Sequence, residues 1–438
     1  MRHLVLWAAC AVALVGCASL RGPGTPSPGA SADCPSPAPT QGAPYCKSRY
    51  IDSIEFDWAG GYTEPNGSDL WPVTWGKDGN VYTFFGDGGG FGGDNRRGRV
   101  SFGVAMLTAP PPLSSTSVKN VYGGYQAVHP STLDGKAGSI ISVGNDFYTL
   151  GGLYDAHDLQ GVSGHKSGAP KRTQLGYSKG NAHSWQAASW TFCSSGPETP
   201  VGAFCPVGFV NYGPGNAGAP DGYVYLLGIA NSRSWWEGDE GPEVMAELGR
   251  TAAAPAAATK APDTSANTYL ARVSKHHVLQ RDAYRYFAGV DAKGRPVWSD
   301  DRKQMQPVFT DRNPSQLSTL ESAIYNPGIR RYIATAQGAY IGQTSFYDAP
   351  QLWGPWTTIS YNNIDPQTGA GGWANLGKAG GGSLGVHIVN AWTSADGSSL
   401  WMTYSSDGKA PADALFPPPG TMLDSFNLVR AHLALKPR

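Results

Sequence analysis

Asp78-Gly79-Asn80-Val81-Tyr82-Thr83-Phe84-Phe85-Gly86 is a turn followed by an alternating strand, and the same pattern returns along the chain. Close relatives of it are Gly144-Asn145-Asp146-Phe147-Tyr148-Thr149-Leu150-Gly151 and Asp221-Gly222-Tyr223-Val224-Tyr225-Leu226-Leu227-Gly228. Looser copies are Pro327-Gly328-Ile329-Arg330-Arg331-Tyr332-Ile333-Ala334 and Asp396-Gly397-Ser398-Ser399-Leu400-Trp401-Met402-Thr403. Gly and its polar neighbours supply the turn, and the aromatic and branched residues that follow suit a pleated, half-buried strand. The matching positions 82, 148, 225, 332 and 402 recur at intervals of roughly 70 residues, with one longer gap that holds an Ala/Pro-rich stretch. Five copies at that spacing predict an all-β fold, a five-bladed β-propeller with four strands per blade.

The same register places the remaining strands. The first strands of the blades fall at 69–75, 139–143, 207–212, 320–326 and 386–393. A strand follows each hairpin at 101–107, 174–178, 269–274, 340–346 and 426–433, and Trp185, Trp298 and Trp356 mark outermost strands. No amphipathic helix longer than two turns is evident.

The bulk composition agrees with this class. The 438 residues include 58 Gly, 34 Pro, 14 Trp and 21 Tyr, the residue types of turns and strands. Charged residues make up only 15% and the formal net charge is +0. A nucleic-acid binder needs a basic stripe to displace counterions from phosphates, so no nucleic-acid partner is expected.

The first residues read as an address. Arg2 and His3 precede an apolar run at 4–15, too short to span a bilayer as a mature helix, and Leu14-Val15-Gly16-Cys17 resembles the bacterial lipobox. Residues 1–16 are therefore expected to be a lipoprotein signal peptide, with Cys17 lipidated and the protein exported to the cell envelope on a bacterial membrane. The Pro/Ser-rich stretch that follows, to residue 47, buries too little apolar surface to fold and is expected to be a disordered tether. The propeller is expected over 48–438, a monomer, with a low-complexity insertion at about 238–266. Cys34, Cys46, Cys193 and Cys205 remain as an even set in an exported chain, and local pairing, Cys34 with Cys46 and Cys193 with Cys205, is the economical reading. No Cys/His cluster indicates zinc, no metal ligand set is expected and no cofactor motif is present; a Ca²⁺ in the channel stays open.

In a propeller the first strands line the central channel and aim side chains at one shared pocket. Asp69 opens the first blade and Glu321 the fourth. Asp87 follows a strand in Phe85-Gly86-Asp87-Gly88-Gly89-Gly90, where glycines would let a ligand approach the backbone, and Asp155 holds the comparable place in blade two. Glycosidic cleavage uses one carboxylic acid to protonate the leaving oxygen and one carboxylate opposite it. Asp69 is expected as base or nucleophile, Glu321 as acid and Asp87 as the third, tuning carboxylate. Trp71, Trp235 and Trp236 are candidate sugar platforms. Asn231 and Arg233 are candidate hydroxyl ligands, and Tyr325 and His387 are further substrate contacts. No Gly-x-Ser-x-Gly elbow, Walker loop or dinucleotide fingerprint occurs in the required setting.

The motif Asp69-Leu70-Trp71-Pro72-Val73-Thr74-Trp75, with Phe85-Gly86-Asp87-Gly88, is joined by four others in order. These are Tyr269-Leu270-Ala271-Arg272-Val273, Arg281-Asp282-Ala283-Tyr284-Arg285-Tyr286-Phe287-Ala288-Gly289, Tyr325-Asn326-Pro327-Gly328 and Trp353-Gly354-Pro355-Trp356. Together they resemble the bacterial domain-of-unknown-function family 4185, from about Ser48 onward. The resemblance implies a five-bladed propeller related to arabinanases and other furanosidases, some relatives being endo-acting hydrolases of D-arabinan. The expected activity is thus glycoside hydrolysis of an extracellular polysaccharide, with arabinan as the named candidate. A non-catalytic glycan-binding lipoprotein is the alternative, and a polysaccharide lyase using His387 and nearby tyrosines is the third.

Overall fold

The computed structural model describes residues 42–155, 172–194, 203–230, 266–311, 319–337, 344–361, 384–409 and 422–437. Strands dominate these residues, and no α-helix occurs among them. The first strand, β1 (Ile51–Pro65), is followed by β2 (Val73–Trp75), β3 (Val81–Phe85), β4 (Gly103–Leu107) and β5 (Val118–Tyr122); β2 to β5 pair in sequence order as one sheet. A second sheet holds β6 (Leu133–Val143), β7 (Asp146–Asp155), β8 (Arg172–Ser178) and β9 (Gln186–Ser194). Next come β10 (Cys205–Asn211), β11 (Tyr223–Ile229), β12 (Ala266–Ser274), β13 (Arg285–Val290) and β14 (Pro296–Ser299), while β15 (Pro307–Asp311) also pairs with β12. Strands β16 (Thr319–Asn326), β17 (Arg331–Gln337), β18 (Thr344–Ala349) and β19 (Thr357–Ser360) join that sheet through a short parallel pairing, Val210 opposite Ala323. The last sheet is built from β20 (Leu384–Val389), β21 (Ser399–Lys409) and β22 (Met422–Leu435).

All five hairpins expected from the repeat are present, and side-chain chemistry explains why the repeat takes its form. Tyr82 Oη donates to Asp78 at 2.8 Å and Tyr225 Oη to Asp221 at 2.5 Å, so the turn acid and the strand tyrosine lock each other. Asp146 and Tyr148 repeat the arrangement at 3.4 Å, with the Lys179 ammonium donating to Asp146 at 2.8 Å.

The chain end that sequence reading could not place is β1. It forms the outer edge of the last sheet, antiparallel to β22 from Ile51 opposite Leu435 to Pro65 opposite Ser425. The packed chain also begins ahead of Ser48. Tyr45 is buried against Phe309 and Tyr347, with ring centroids 5.1 and 6.1 Å away, and Thr358 N–H donates to the Cys46 carbonyl at 2.8 Å. Cys193 and Cys205 form a disulfide, as their spacing suggested. Cys46 is disulfide-bonded too; Cys34, Cys17 and the leader lie outside the described residues. No helix among the described residues is long and apolar enough to cross a membrane.

Each of the first strands β2, β6, β10, β16 and β20 lies against the next, and β20 lies against β2. Ser142 N–H donates to Thr74 Oγ1 at 2.9 Å, Phe209 N–H to Ser139 Oγ at 3.0 Å, and Ile388 N–H to Ser322 Oγ at 3.3 Å. Each of these strands carries one residue more than its partner. Ala137 faces Gly151 but Ser139 faces Leu150; Pro206 faces Gly228 but Gly208 faces Leu227. Leu320 faces Ala336 but Ser322 faces Thr335, and Leu384 faces Ser405 but His387 faces Thr403. Asp69 faces Gly86 while Val73 faces Thr83, the same surplus again. A bulge bends a strand and re-aims a side chain; here the extra residue lies just ahead of β2, toward the starting end of β10, β16 and β20, and midway along β6.

Candidate functional site

Asp69 and Glu321 sit at two of these bulges, Glu321 being itself the extra residue of β16. What presents Asp69 is a distorted turn rather than a regular strand. Leu70 and Trp71 have φ of 79° and 49°, the left-handed region that costs an L-residue about 1–2 kcal/mol each. Asp87, with φ of 62°, is a third such residue next to the Asp69 bridge.

The turn is held from two sides. Asp69 N–H donates to the Gly86 carbonyl at 3.0 Å, and Pro72 O accepts from Phe84 N–H at 3.2 Å. From the last sheet, Ser405 Oγ accepts from Leu70 N–H at 2.7 Å and Thr403 Oγ1 donates to Trp71 O at 2.8 Å. His387, also from that sheet, has its ring beside the Leu70 carbonyl, which favours the protonated ring. Burial pulls the His387 pKa down to about 4, outweighing that effect, so the ring is neutral near pH 7.

Asp69 Oδ1 is buried and has no hydrogen-bond partner among the described residues. Arg99 feels the charges of Asp69 and Asp424, but burial outweighs them and lowers its pKa. An unpaired buried carboxylate oxygen is costly, and natural proteins keep such groups mainly where they serve a ligand or a reaction. Asp87 forms an ion pair with Lys136 of β6, so the rims of the first and second sheets are joined by charge beside Asp69.

Several sequence expectations change. Trp71 is fully buried, 5.4 Å from Phe85, 5.3 Å from Phe91 and 4.9 Å from Phe426, with its indole N–H on Ser68 O; it is a core residue and no sugar platform. His387 is 7% exposed and engaged with the turn, so it positions backbone rather than touching substrate. Tyr325 lies at the hairpin end of β16, away from Glu321, within a cluster formed with Tyr212 and Tyr332. The glycines around Asp87 serve the protein's own backbone. A Cβ at Gly88 would stand 2.1 Å from Gly67 C, and one at Gly89 2.2 Å from Arg97 O.

Asp155 ends β7 opposite Leu133. Asn231, Arg233, Trp235 and Trp236 lie outside the described residues, as does most of the 238–266 insertion. Arg99, Lys136, Thr403 and Ser405 are the site residues sequence reasoning missed. Lys136 alone had a signal, since it stands near the start of a first strand as Asp69 and Glu321 do. Among the described residues no group of three or more His, Cys, Asp or Glu side chains is gathered to hold a metal ion.

No family model matches the chain, and no curated protein matches it. Among solved structures it is similar to a putative hydrolase from Bacteroides ovatus, at 13% identity over 84% of this chain and 87% of that one, TM-score 0.43. It is similar to a GH43 β-xylosidase/α-arabinofuranosidase from a compost microbial metagenome, at 13% identity over 84% and 93%, TM-score 0.42. A third likeness is to an α-L-arabinofuranosidase from Podospora anserina, at 10% identity over 84% and 91%, TM-score 0.40.

Proposed function

We propose that this chain is a five-bladed β-propeller glycoside hydrolase, exported and anchored through Cys17, that cleaves an extracellular polysaccharide of the arabinan class. The observation that carries the catalytic reading is the Asp69 carboxylate, at the bulge just ahead of β2, whose buried Oδ1 lacks a protein partner among the described residues. Glu321 opens its strand at the corresponding end, which supports the pairing of the two carboxyl groups. In this reading Glu321 gives its proton to the glycosidic oxygen as the bond to the anomeric carbon breaks. Asp69 either takes a proton from the attacking water or attacks the carbon itself. Asp87, tied to Lys136, contributes fixed negative charge near the developing positive charge of the sugar ring.

A panel of arabinans, xylans and other polysaccharides incubated with the purified protein tests the reading by release of reducing oligosaccharides. Retention on immobilised glycan without product replaces it with the glycan-binding alternative, and unsaturated products absorbing in the ultraviolet replace it with a lyase. Incorporation of labelled fatty acid, lost on Cys17→Ala, tests the anchor.

A further inference from the structure

We infer that Ser405, Thr403 and His387 are positioning residues through which the last sheet assembles the candidate site on the first. This rests on the reading of Asp69 as a reacting group. Leu70 and Trp71 occupy backbone conformations that a side chain-bearing residue adopts at a cost, and nothing in their own sequence demands them. Such a turn persists only when its surroundings over-determine it. Two hydrogen bonds do so, Leu70 N–H to Ser405 Oγ at 2.7 Å and Thr403 Oγ1 to Trp71 O at 2.8 Å, and the buried His387 ring packs beside Leu70 O. Thr403 and Ser405 are alternate residues of β21, so both hydroxyls leave the same face of the strand, and His387 faces Thr403 across the β20–β21 pair.

The clamp therefore belongs to a sheet whose outer edge is β1, the strand that leads directly into Asp69. Closing the ring of sheets and shaping the Asp69 turn become one event. Gly385, with φ of 60°, lets its strand pass close to the same carbonyl: a Cβ there would stand 3.1 Å from both Leu70 O and His387 Nε2.

The test compares Ser405→Ala, Thr403→Val and the hydroxyl-preserving Thr403→Ser in the full chain, with two readouts. Hydrogen exchange of the Leu70 amide reports the clamp without reference to any substrate. Loss of its partner in Ser405→Ala should speed exchange roughly tenfold, with amides of β16 and β17 unchanged. Turnover of the polysaccharide found in the panel should fall about 10–100-fold in kcat with KM held in Ser405→Ala and Thr403→Val, because a displaced reacting group loses orientation rather than binding. Thr403→Ser should retain both properties. Unchanged Leu70 exchange in Ser405→Ala overturns the inference, as does full kcat in both hydroxyl-less variants. If the wild-type chain turns over no glycan, the hydrolase reading fails while the exchange result still decides the clamp.

Discussion

Lys136 of the second sheet is ion-paired with Asp87 of the first, and both side chains are only partly exposed. The pair crosses the seam between two sheets beside Asp69, so removing the ammonium leaves a carboxylate without its counter-charge at the rim. Lys136→Met should lower stability by about 1 kcal/mol in chemical denaturation, while Lys136→Arg keeps most of it. Equal stability of the Met variant and the wild type would show that the pair contributes nothing to the seam.

Trp71 separates a core role from a sugar-binding one. Trp71→Ala empties an aromatic nest of Phe85, Phe91 and Phe426 and should cost about 3–5 kcal/mol, seen as a large fall in denaturation midpoint. A variant that keeps wild-type stability and loses only glycan affinity would restore the platform reading.

His387 gives the protein a pH-dependent element. Its folded pKa lies near 4 and the ordinary value is 6.5, so the unfolded chain binds a proton that the folded one refuses. The contribution is complete above about pH 6.5 and is lost as pH falls through about 4, amounting to about 3 kcal/mol over that window. Denaturation midpoints between pH 7 and 4 should therefore fall less steeply in His387→Gln than in the wild type. Parallel slopes would assign the acid sensitivity elsewhere.

The Cys193–Cys205 disulfide closes a short loop between β9 and β10, joining two neighbouring sheets. Replacing both cysteines by serine should cost about 3 kcal/mol, since the open loop returns conformational entropy to the unfolded chain. A double variant of undiminished stability would make the bond dispensable.

The hairpins were legible because their signal is local: an acid or glycine sets the turn, and a tyrosine a few residues on bonds back to it, as Tyr225 does to Asp221. The closing strand was not, since Ile51 meets Leu435 from the far end of the chain and no local pattern announces such a partner. Asp69 could be singled out as an acid opening a first strand. Trp71 was misplaced for a physical reason. In a regular strand residues two apart share a face, which sets Trp71 beside Asp69, but the left-handed turn at Leu70 and Trp71 breaks that alternation and sends the indole into the core. The glycines flanking Asp87 looked like room for a ligand, and the room is taken by Gly67, Gly93 and Arg97. Thr403 and Ser405 read as ordinary strand hydroxyls, because their partners are backbone groups more than three hundred residues away.

The most direct measurement is the turnover of Asp69→Asn against the wild type on the polysaccharide that the panel identifies, with thermal stability recorded on the same samples. The substitution keeps size and hydrogen-bonding shape while removing the charge. The account predicts loss of about a thousandfold or more in kcat with an unchanged melting temperature. Wild-type turnover in a folded Asp69→Asn protein would contradict it.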